Sequence, residues 1–382
     1  MYCLRVEDFI DVKENKSSFE LNDMVHICKR KNNTKRQYLF VNKYQAKHYP
    51  VSPKMTLKLF DELYEEITKK ITNTERILVV GFAETATGIA QRITHKSILE
   101  EGKWKSLNIV YHLQTTREDI DTNKETIKFD EEHSHAVTQK LFYGSDVPIY
   151  DRVLFIEDEI TTGNTILNFI EQFRKLNPGA KYAVASILNW QNEENSKRYE
   201  KEGIDTIYLV KGNIKENLPE IELEENEVLI KTDCSNDKKV LGSCNNPRAG
   251  MTRSDFKEYI EFHFDRLQSA FAAWWGDRVM VIGTEENMYL PILIANWLGD
   301  NATVRSTTRS PITVSKEDGY LIYNGIQIPS AYDTERTTYL YNIDSTYEKA
   351  LVVLERATLG FKECIRDGLK ELGVEKTVFE KQ

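Results

Sequence analysis

The segment Arg152–Thr165, RVLFIEDEITTGNT, constrains the fold more than any other part of the chain. Its apolar residues Val153–Ile156 predict a short buried strand, and the carboxylates of Glu157 and Asp158 follow at the carboxyl end of that strand. A threonine-rich turn then opens an amphipathic helix, whose N-terminal N–H groups can bind a phosphate while threonine hydroxyls add donors. The carboxylates are suited to accept hydrogen bonds from ribose hydroxyls or to hold a divalent cation. The segment therefore predicts a site for a phosphorylated sugar. The expected phosphate-binding residues are Thr161, Thr162, Gly163, Asn164 and Thr165.

Two other phosphate-binding motifs fit this segment poorly. A P-loop requires GxxxxGK[ST], and the turn contains no lysine. A Rossmann fingerprint requires GxGxxG, and Gly163 stands alone. A plain strand–turn–helix unit with an acidic end stays open as an alternative. The arrangement resembles the 5-phosphoribosyl-1-pyrophosphate (PRPP) motif of type I phosphoribosyltransferases, in which an apolar strand is followed by two acids and a T-x-G-x-T-like turn.

Bulk properties narrow the class of protein. The chain of 382 residues is long enough for two domains, and its net charge of −9 disfavours broad nucleic-acid binding. No apolar run approaches the ~20 residues of a membrane span, so we expect no membrane partner. Five scattered cysteines are typical of reduced thiols in a cytoplasmic protein. Cys234 and Cys244 would make half of a metal site, but no second Cys/His pair accompanies them.

Strand-like and helix-like segments alternate between residues 51 and 210, which predicts an α/β fold with a mainly parallel sheet. We divide the chain into an N-terminal hood segment, 1–50, a first domain, 51–235, and a smaller α/β domain, 236–382. Glu227–Thr232 is interpreted as a strand returning to the first sheet. The C-terminal domain is expected to end in a long helix, at about 345–371.

A faint internal repeat links the two predicted domains. Gly81 and Gly283 each end a predicted strand and are each followed three residues later by a glutamate. After a helix and a strand, the tripeptide Thr-Thr-Arg occurs in both halves, at 115–117 and at 307–309. The match is either chance or the trace of a diverged copy. Nothing like Glu157–Thr165 occurs in the second half.

The loop Gly81–Gly88, GFAETATG, lies at the carboxyl end of its strand, where ligands of open α/β sheets gather. Its small residues would let backbone N–H groups approach the pyrophosphate of PRPP, although a turn that only caps the next helix is an alternative. Glu84 is unexpected beside an anion, and a role through Mg²⁺, toward the nucleophile or as a helix cap would explain it. The residues expected to face pyrophosphate are Ala83, Glu84 and Thr85.

A polar segment without clear periodicity, 114–145, is the candidate lid over the reacting centre. Arg117 within it is a suitable phosphate ligand because its guanidinium group matches phosphate geometry. The run EEHSHA contributes Glu132, His133 and His135, which fit a metal site, an acid/base cluster or a solvated loop. In the N-terminal segment, Lys43 and His48 either face the substrate or belong to a solvated basic surface.

Together these segments resemble one family, the phosphoribosyltransferase-like proteins of bacterial tellurite-resistance and stress-response gene clusters. Those proteins join an orotate-phosphoribosyltransferase-like domain to a C-terminal TRSP domain. The tetrapeptide TRSP occurs here at 308–311, and the resemblance extends to KRQYLFVNKYQAKHYPV, GFAETATG, TTR, EEHSHA and NPRAG, over about residues 25 to 345. It implies a type I phosphoribosyltransferase core with an N-terminal hood, Mg²⁺ dependence and a part in making a nucleoside-like compound. It names no acceptor.

One departure from better-known relatives concerns Thr161. Purine-salvage enzymes of the hypoxanthine/guanine type place an aspartate there, whereas the orotate and adenine enzymes do not. Salvage of hypoxanthine or guanine is therefore disfavoured.

The leading hypothesis is a Mg²⁺-dependent enzyme that transfers phosphoribose from PRPP to a small nitrogenous acceptor and releases pyrophosphate. A non-catalytic PRPP or nucleotide sensor, and a ribosyl or nucleotide hydrolase, are the alternatives. Pairing of subunits into a homodimer is left open. The expected catalytic residues are Glu157, Asp158, Arg117, Glu84, His133 and His135, with Glu157 and Asp158 also holding the metal. The expected acceptor-pocket residues are Lys43, His48, Glu132, Arg309 and Ser310.

Overall fold

A computed structural model describes residues 2–31, 36–103, 106–130, 138–232, 238–239, 241–242 and 246–381. Within these ranges the chain forms an α/β fold with one large and several small sheets, as the alternation of strands and helices predicts. The α-helices are α1 (Val6–Phe9), α2 (Leu21–Met24), α3 (Pro53–Lys70), α4 (Ala86–Leu99), α5 (Asn164–Leu176), α6 (Glu193–Lys201), α7 (Arg253–Phe271), α8 (Tyr289–Leu298) and α9 (Leu359–Glu371). Short 3₁₀ turns lie at Pro247–Ala249 and Ala272–Trp274.

The strands in chain order are β1 (Ile10–Asn15), β2 (Val25–Lys29), β3 (Tyr38–Asn42), β4 (Ile77–Gly81), β5 (Ile109–Gln114), β6 (Ile120–Asp121), β7 (Glu125–Asp130), β8 (Thr138–Tyr143), β9 (Arg152–Ile160), β10 (Lys181–Asn189), β11 (Ile204–Ile214), β12 (Leu229–Ile230), β13 (Leu241–Gly242), β14 (Met251–Thr252), β15 (Val279–Gly283), β16 (Thr303–Ser306), β17 (Gly325–Pro329), β18 (Thr337–Tyr341), β19 (Lys349–Leu354) and β20 (Lys376–Lys381).

The central sheet has the order β1-β11-β10-β9-β4-β5-β14. Its five inner strands are parallel, and β1 and β14 are antiparallel at the two edges. The inner strands are apolar and buried because helices cover both faces of such a sheet. Within the N-terminal segment, β1 joins this sheet, while β2 and β3 form an antiparallel hairpin outside it. The parallel arrangement brings the carboxyl ends of β4, β5 and β9 to one edge.

The C-terminal domain contains a four-stranded sheet of order β16-β15-β19-β20, with all neighbours parallel. A three-stranded sheet, β12-β17-β18, lies beside it. One apolar core is continuous across the two domains, and it includes Phe155 and Phe173 of the first and Tyr289 of the second. Helix α7 packs against both α4 and α8. The two domains are therefore fused along a common apolar interface.

Two expectations about local structure are wrong. The predicted terminal helix at about 345–371 is a strand, β19, followed by helix α9, because the apolar run of β19 is buried between β15 and β20. The segment Glu227–Thr232 does not return to the first sheet, since β12 pairs with β17 of the C-terminal domain. Within the segment 114–145, whose sequence has no clear period, β7 and β8 pair as antiparallel strands.

No helix among the described residues combines the length and apolarity required to cross a membrane.

Candidate functional site

The two predicted carboxylates lie at the open edge of the central sheet. Strand β9 runs to Ile160, so Glu157 and Asp158 belong to the strand rather than to the loop after it. The neighbouring strand β4 ends where Gly81 pairs with Ile156, and both carboxylates extend past that point, half-buried. Burial raises the pKa of Asp158, and the positive charge of Lys47 opposes that rise.

The turn after β9 leads into helix α5 through a left-handed glycine. Gly163 caps α5 in the left-handed conformation, with φ of +77°, and its carbonyl accepts a hydrogen bond of 2.7 Å from the Tyr199 hydroxyl. The side chain of Asn164 accepts a hydrogen bond of 2.7 Å from Arg198. A Cβ atom on Gly163 would collide with the Tyr199 hydroxyl. The position therefore requires glycine both because of its left-handed backbone and because there is no room for a side chain. The five predicted phosphate-turn residues lie together here: Thr161, Thr162, Gly163, Asn164 and Thr165.

The loop between β4 and α4 crosses the same edge. The N–H of Phe82 donates to the carbonyl of Ile156 at 3.0 Å, which joins the loop to the acidic strand. The N–H of Ala83 donates to the Thr115 hydroxyl at 2.8 Å, and Gln139 donates to the carbonyl of Ala83 at 3.1 Å. The peptide bond between Ala83 and Glu84 is cis. The Ala83 N–H is thus engaged within the protein, which narrows the predicted pyrophosphate contacts to the rest of the loop.

Glu84 is held by two cations. Its carboxylate forms an ion pair with Lys47 and lies 3.4 Å from Nη1 of Arg117. The Lys47 side chain is only 1% exposed, and it also donates to the carbonyl of Glu285 in the C-terminal domain at 2.7 Å. Burial lowers the pKa of Lys47, and the charge of Glu84 opposes that effect. Neither a metal nor a helix cap is needed to account for Glu84, because Lys47 and Arg117 balance its charge.

Lys47 is not among the site residues predicted from the sequence. The KRQYLFVNKYQAKHYP segment concentrates cations, of which Lys43 and His48 are the predicted site residues. The Lys43 ammonium lies over the Tyr49 ring at 5.1 Å. The Nε2 atom of His48 lies 3.2 Å from the Thr308 hydroxyl, and burial lowers the pKa of His48 to about 3. The lysine between them is the one that reaches the loop after β4.

The carboxylate of Glu286, from the C-terminal domain, also reaches the site. Glu286 accepts hydrogen bonds from the Thr116 hydroxyl at 2.7 Å and from the N–H of Arg117 at 2.9 Å. It also pairs with Arg248 at 2.6 Å, and both side chains are 1% exposed. Burial by itself would raise the pKa of Glu286, but the charges of Arg248 and Arg309 lower it to about 2. Glu286 is therefore ionised and holds the backbone N–H of Arg117.

The structure describes two further acceptor-pocket candidates, Arg309 and Ser310, both of the C-terminal domain. Arg309 bridges Glu285, at 2.7 Å, and Glu118 of the first domain, so it lies between the domains. Ser310 donates its N–H to the Thr308 hydroxyl, and its carbonyl accepts from Tyr341 at 2.9 Å. The predicted Glu132, His133 and His135, and both Cys234 and Cys244, lie outside the described residues.

Arg117 and Arg309 both line a cleft of about 410 Å³ at the domain boundary. The other residues around it are Glu118, Asp119, Lys140, Lys238, Asp333, Arg336 and Thr337. Groups of three or more metal-ligating side chains are absent from the described part of the chain. This finding is compatible with Mg²⁺, which commonly takes one or two carboxylates and completes its coordination with water and substrate phosphates.

Two family models match successive parts of the chain. A family model described as a phosphoribosyl transferase matches residues 24–213, and a model of the TRSP domain, described as C-terminal to that transferase, matches residues 245–363. Searching curated proteins gave no match.

Solved phosphoribosyltransferase structures are also similar to this chain. The adenine enzyme of Saccharomyces cerevisiae is 10% identical over 49% of this chain and 94% of its own, with a TM-score of 0.33. The adenine enzyme of Trypanosoma brucei is 14% identical over 49% of this chain and 76% of its own, with a TM-score of 0.35. The orotate enzyme of Mycobacterium tuberculosis is 16% identical over 49% of this chain and 90% of its own, with a TM-score of 0.31. On the two family models, the chain belongs to the phosphoribosyl transferases that carry a TRSP domain at their C-terminus.

Proposed function

We propose that the protein transfers phosphoribose from PRPP to a small nitrogenous acceptor and releases pyrophosphate. The observation that carries this proposal is the meeting of three elements at one sheet edge. The glycine turn before α5 directly follows the acidic end of β9, and the hydrogen bond from the Phe82 N–H to the Ile156 carbonyl joins the loop after β4 to the same strand.

Each element suits one part of PRPP. The turn at Gly163 offers helix N–H groups and hydroxyls to the 5-phosphate. Glu157 and Asp158 would accept hydrogen bonds from the ribose hydroxyls. The loop after β4, together with Arg117, would bind the pyrophosphate. In the reaction, the bond between C1 and the pyrophosphate oxygen breaks, pyrophosphate leaves with the electron pair, and an acceptor nitrogen that loses its proton bonds to C1.

The site fits Mg²⁺ as the metal. Its donor set is two adjacent carboxylates, and burial raises the pKa of Asp158, so a cation there would favour the ionised form. Glu157 and Asp158 would hold the ion, which when bound supplies positive charge to the pyrophosphate oxygens. Formation of a nucleotide or nucleoside-like product follows if the acceptor is a base. The absence of an aspartate at Thr161 argues against hypoxanthine and guanine as acceptors.

The test is to incubate labelled PRPP and Mg²⁺ with a panel of bases, ammonia and cell extract. Asp158→Asn and Glu157→Gln are each expected to weaken PRPP binding by about 10- to 100-fold, as befits loss of a hydrogen bond to a charged group. Asp205→Asn, the same change at the opposite end of the sheet, is the matched control. Acceptor-dependent release of pyrophosphate supports transfer. Binding without turnover indicates a sensor, release of phosphoribose without an acceptor indicates a hydrolase, and normal PRPP binding by both acidic-site variants overturns the site.

A further inference from the structure

The C-terminal sheet repeats the strand order of the central sheet. Strands β16, β15, β19 and β20 are neighbours in the same order as β5, β4, β9 and β10, and every pair is parallel in both sets. Helices α8 and α9 follow β15 and β19, as α4 and α5 follow β4 and β9. The connections therefore match in sequence order as well as in space.

Two hydrogen bonds at the strand ends are repeated with the same atoms. The N–H of Thr115 donates to the carbonyl of Gly81 at 2.9 Å, and the N–H of Thr307 donates to the carbonyl of Gly283 at 3.0 Å. The Thr115 hydroxyl accepts from the N–H two residues after Gly81, at 2.8 Å. The Thr307 hydroxyl accepts from the N–H two residues after Gly283, at 3.0 Å. Agreement at this level makes chance a poor explanation of the repeated glycine, glutamate and Thr-Thr-Arg.

The two halves differ at the end of the third strand. In the first domain Gly163 opens α5 with a left-handed turn. In the second, the link from β19 to α9 is Glu-Arg-Ala-Thr without glycine, and the Thr358 hydroxyl caps α9 by accepting from the N–H of Phe361. The turn that would bind a 5-phosphate is therefore not reproduced.

The space at the end of the second sheet is filled from within the chain. Arg248 is buried there between Glu286, after β15, and Glu355, after β19. The Tyr332 hydroxyl donates to the other oxygen of Glu355 at 2.6 Å. By sequence position Glu286 is the counterpart of Glu84, yet its carboxylate reaches Thr116 and the backbone of Arg117 in the first domain.

We propose that the C-terminal domain is a second copy of the transferase fold, that Arg248 fills its ligand site, and that its Glu286 has become a positioning residue for Arg117 of the first domain. The role of Glu286 rests on the proposed function, since Arg117 is assigned there to pyrophosphate. The filled second site does not depend on that function.

The role of Glu286 is tested with Glu286→Gln and a matched control, Glu355→Gln. Both remove one negative charge from Arg248, but the bonds described for Glu355 are to Arg248 and Tyr332, whereas Glu286 also holds Thr116 and Arg117. Calorimetric titration with inorganic pyrophosphate and with ribose 5-phosphate needs no turnover. We expect Glu286→Gln to weaken pyrophosphate binding about tenfold or more, leaving ribose 5-phosphate binding unchanged, and Glu355→Gln to change neither.

Thr116→Val provides a second route if Glu286→Gln does not fold, because it removes one donor to Glu286 and leaves the buried charges in place. It should weaken pyrophosphate binding in the same direction. The double variant Glu286→Gln/Arg117→Ala should bind pyrophosphate no more weakly than Arg117→Ala alone, because Glu286 acts through Arg117. Equal effects of Glu286→Gln and Glu355→Gln, or wild-type pyrophosphate binding in Glu286→Gln and Thr116→Val, would overturn the positioning role.

The number of ribose 5-phosphate sites per chain tests the filled copy. One site is expected, and it should be lost in Gly163→Ala. A second site of comparable affinity would refute the assignment of Arg248 as its occupant. Lack of transfer with every acceptor would count against the proposed function while leaving these binding results intact.

Discussion

The turn before α5 provides the sharpest test of the phosphate site, through Gly163→Ala. An alanine held at φ of +77° costs about 1–2 kcal/mol, because the left-handed region brings Cβ close to the following carbonyl. Its Cβ would also collide with the Tyr199 hydroxyl, and losing the hydrogen bond from that hydroxyl to the Gly163 carbonyl costs about 1 kcal/mol more. We therefore expect the free energy of unfolding to fall by about 2–3 kcal/mol. PRPP affinity should fall at least about tenfold, since the N–H groups of the turn are displaced.

Gly203→Ala separates the two contributions. Gly203 has φ of +68°, but a Cβ atom there would meet nothing within 4 Å, so this variant carries only the backbone strain. Denaturant unfolding and calorimetric titration of PRPP should show a loss of about 1–2 kcal/mol for Gly203→Ala with unchanged affinity. Adding Tyr199→Phe to Gly163→Ala should recover part of the lost affinity because it removes the colliding hydroxyl. The reasoning fails if Gly163→Ala binds PRPP like the wild type and unfolds no more easily than Gly203→Ala.

Three further outcomes are expected. Phe173→Ala should lower the free energy of unfolding by about 3–5 kcal/mol, because its ring is fully buried against other rings, whereas exposed Phe262→Ala should change it by less than about 0.5 kcal/mol in a denaturant titration. Burial lowers the pKa of His48 to about 3, so the unfolded chain takes up a proton there at a higher pH than the folded chain does. The contribution of neutral His48 to the free energy of unfolding is therefore complete above the ordinary pKa of about 6.5. It is lost as the pH falls, at up to about 1.4 kcal/mol per pH unit. His48→Gln should make the measured pH dependence shallower, and an identical slope would contradict that. Chelation of Mg²⁺ should abolish PRPP turnover and weaken PRPP binding, with unchanged kinetics in a chelator as the refuting result.

The acidic strand and its turn could be predicted because their signals are local. Residues 153–165 carry the apolar run, both carboxylates and the glycine in one continuous segment. The structure differs in extending the strand to Arg152–Ile160 and in starting the helix at Asn164, within the predicted turn. The error at β19 has a physical origin, since a short apolar run such as KALVVL fits a buried strand or a buried helix equally well. Only pairing with β15 and β20, which are distant in sequence, decides between them.

Lys47 and Glu286 illustrate what local patterns leave undetermined. In the sequence Lys47 is one of several cations near a proline, and Glu286 follows another glutamate after a strand. Their importance comes from burial, which depends on how the hood and the two domains pack. The repeat of Gly81–Glu84 in Gly283–Glu286 was the one sequence signal for Glu286, and it indicated an equivalent position without indicating that the carboxylate crosses to the other domain.

The electrostatics of the candidate site belong to both domains together. A buried ammonium group such as Lys47 is tolerated only where acceptors satisfy it, and here one acceptor is the Glu84 carboxylate and the other is the carbonyl of Glu285. Removing the C-terminal domain would take away the second acceptor, the Glu286 carboxylate beside Arg117 and the apolar contacts of Tyr289 at once. The ammonium group that pairs with Glu84 in the loop after β4 is therefore held in part by the second domain. If the first domain binds PRPP as proposed, the need to fix the cations beside the loop after β4 gives a physical reason for keeping the second domain on the same chain.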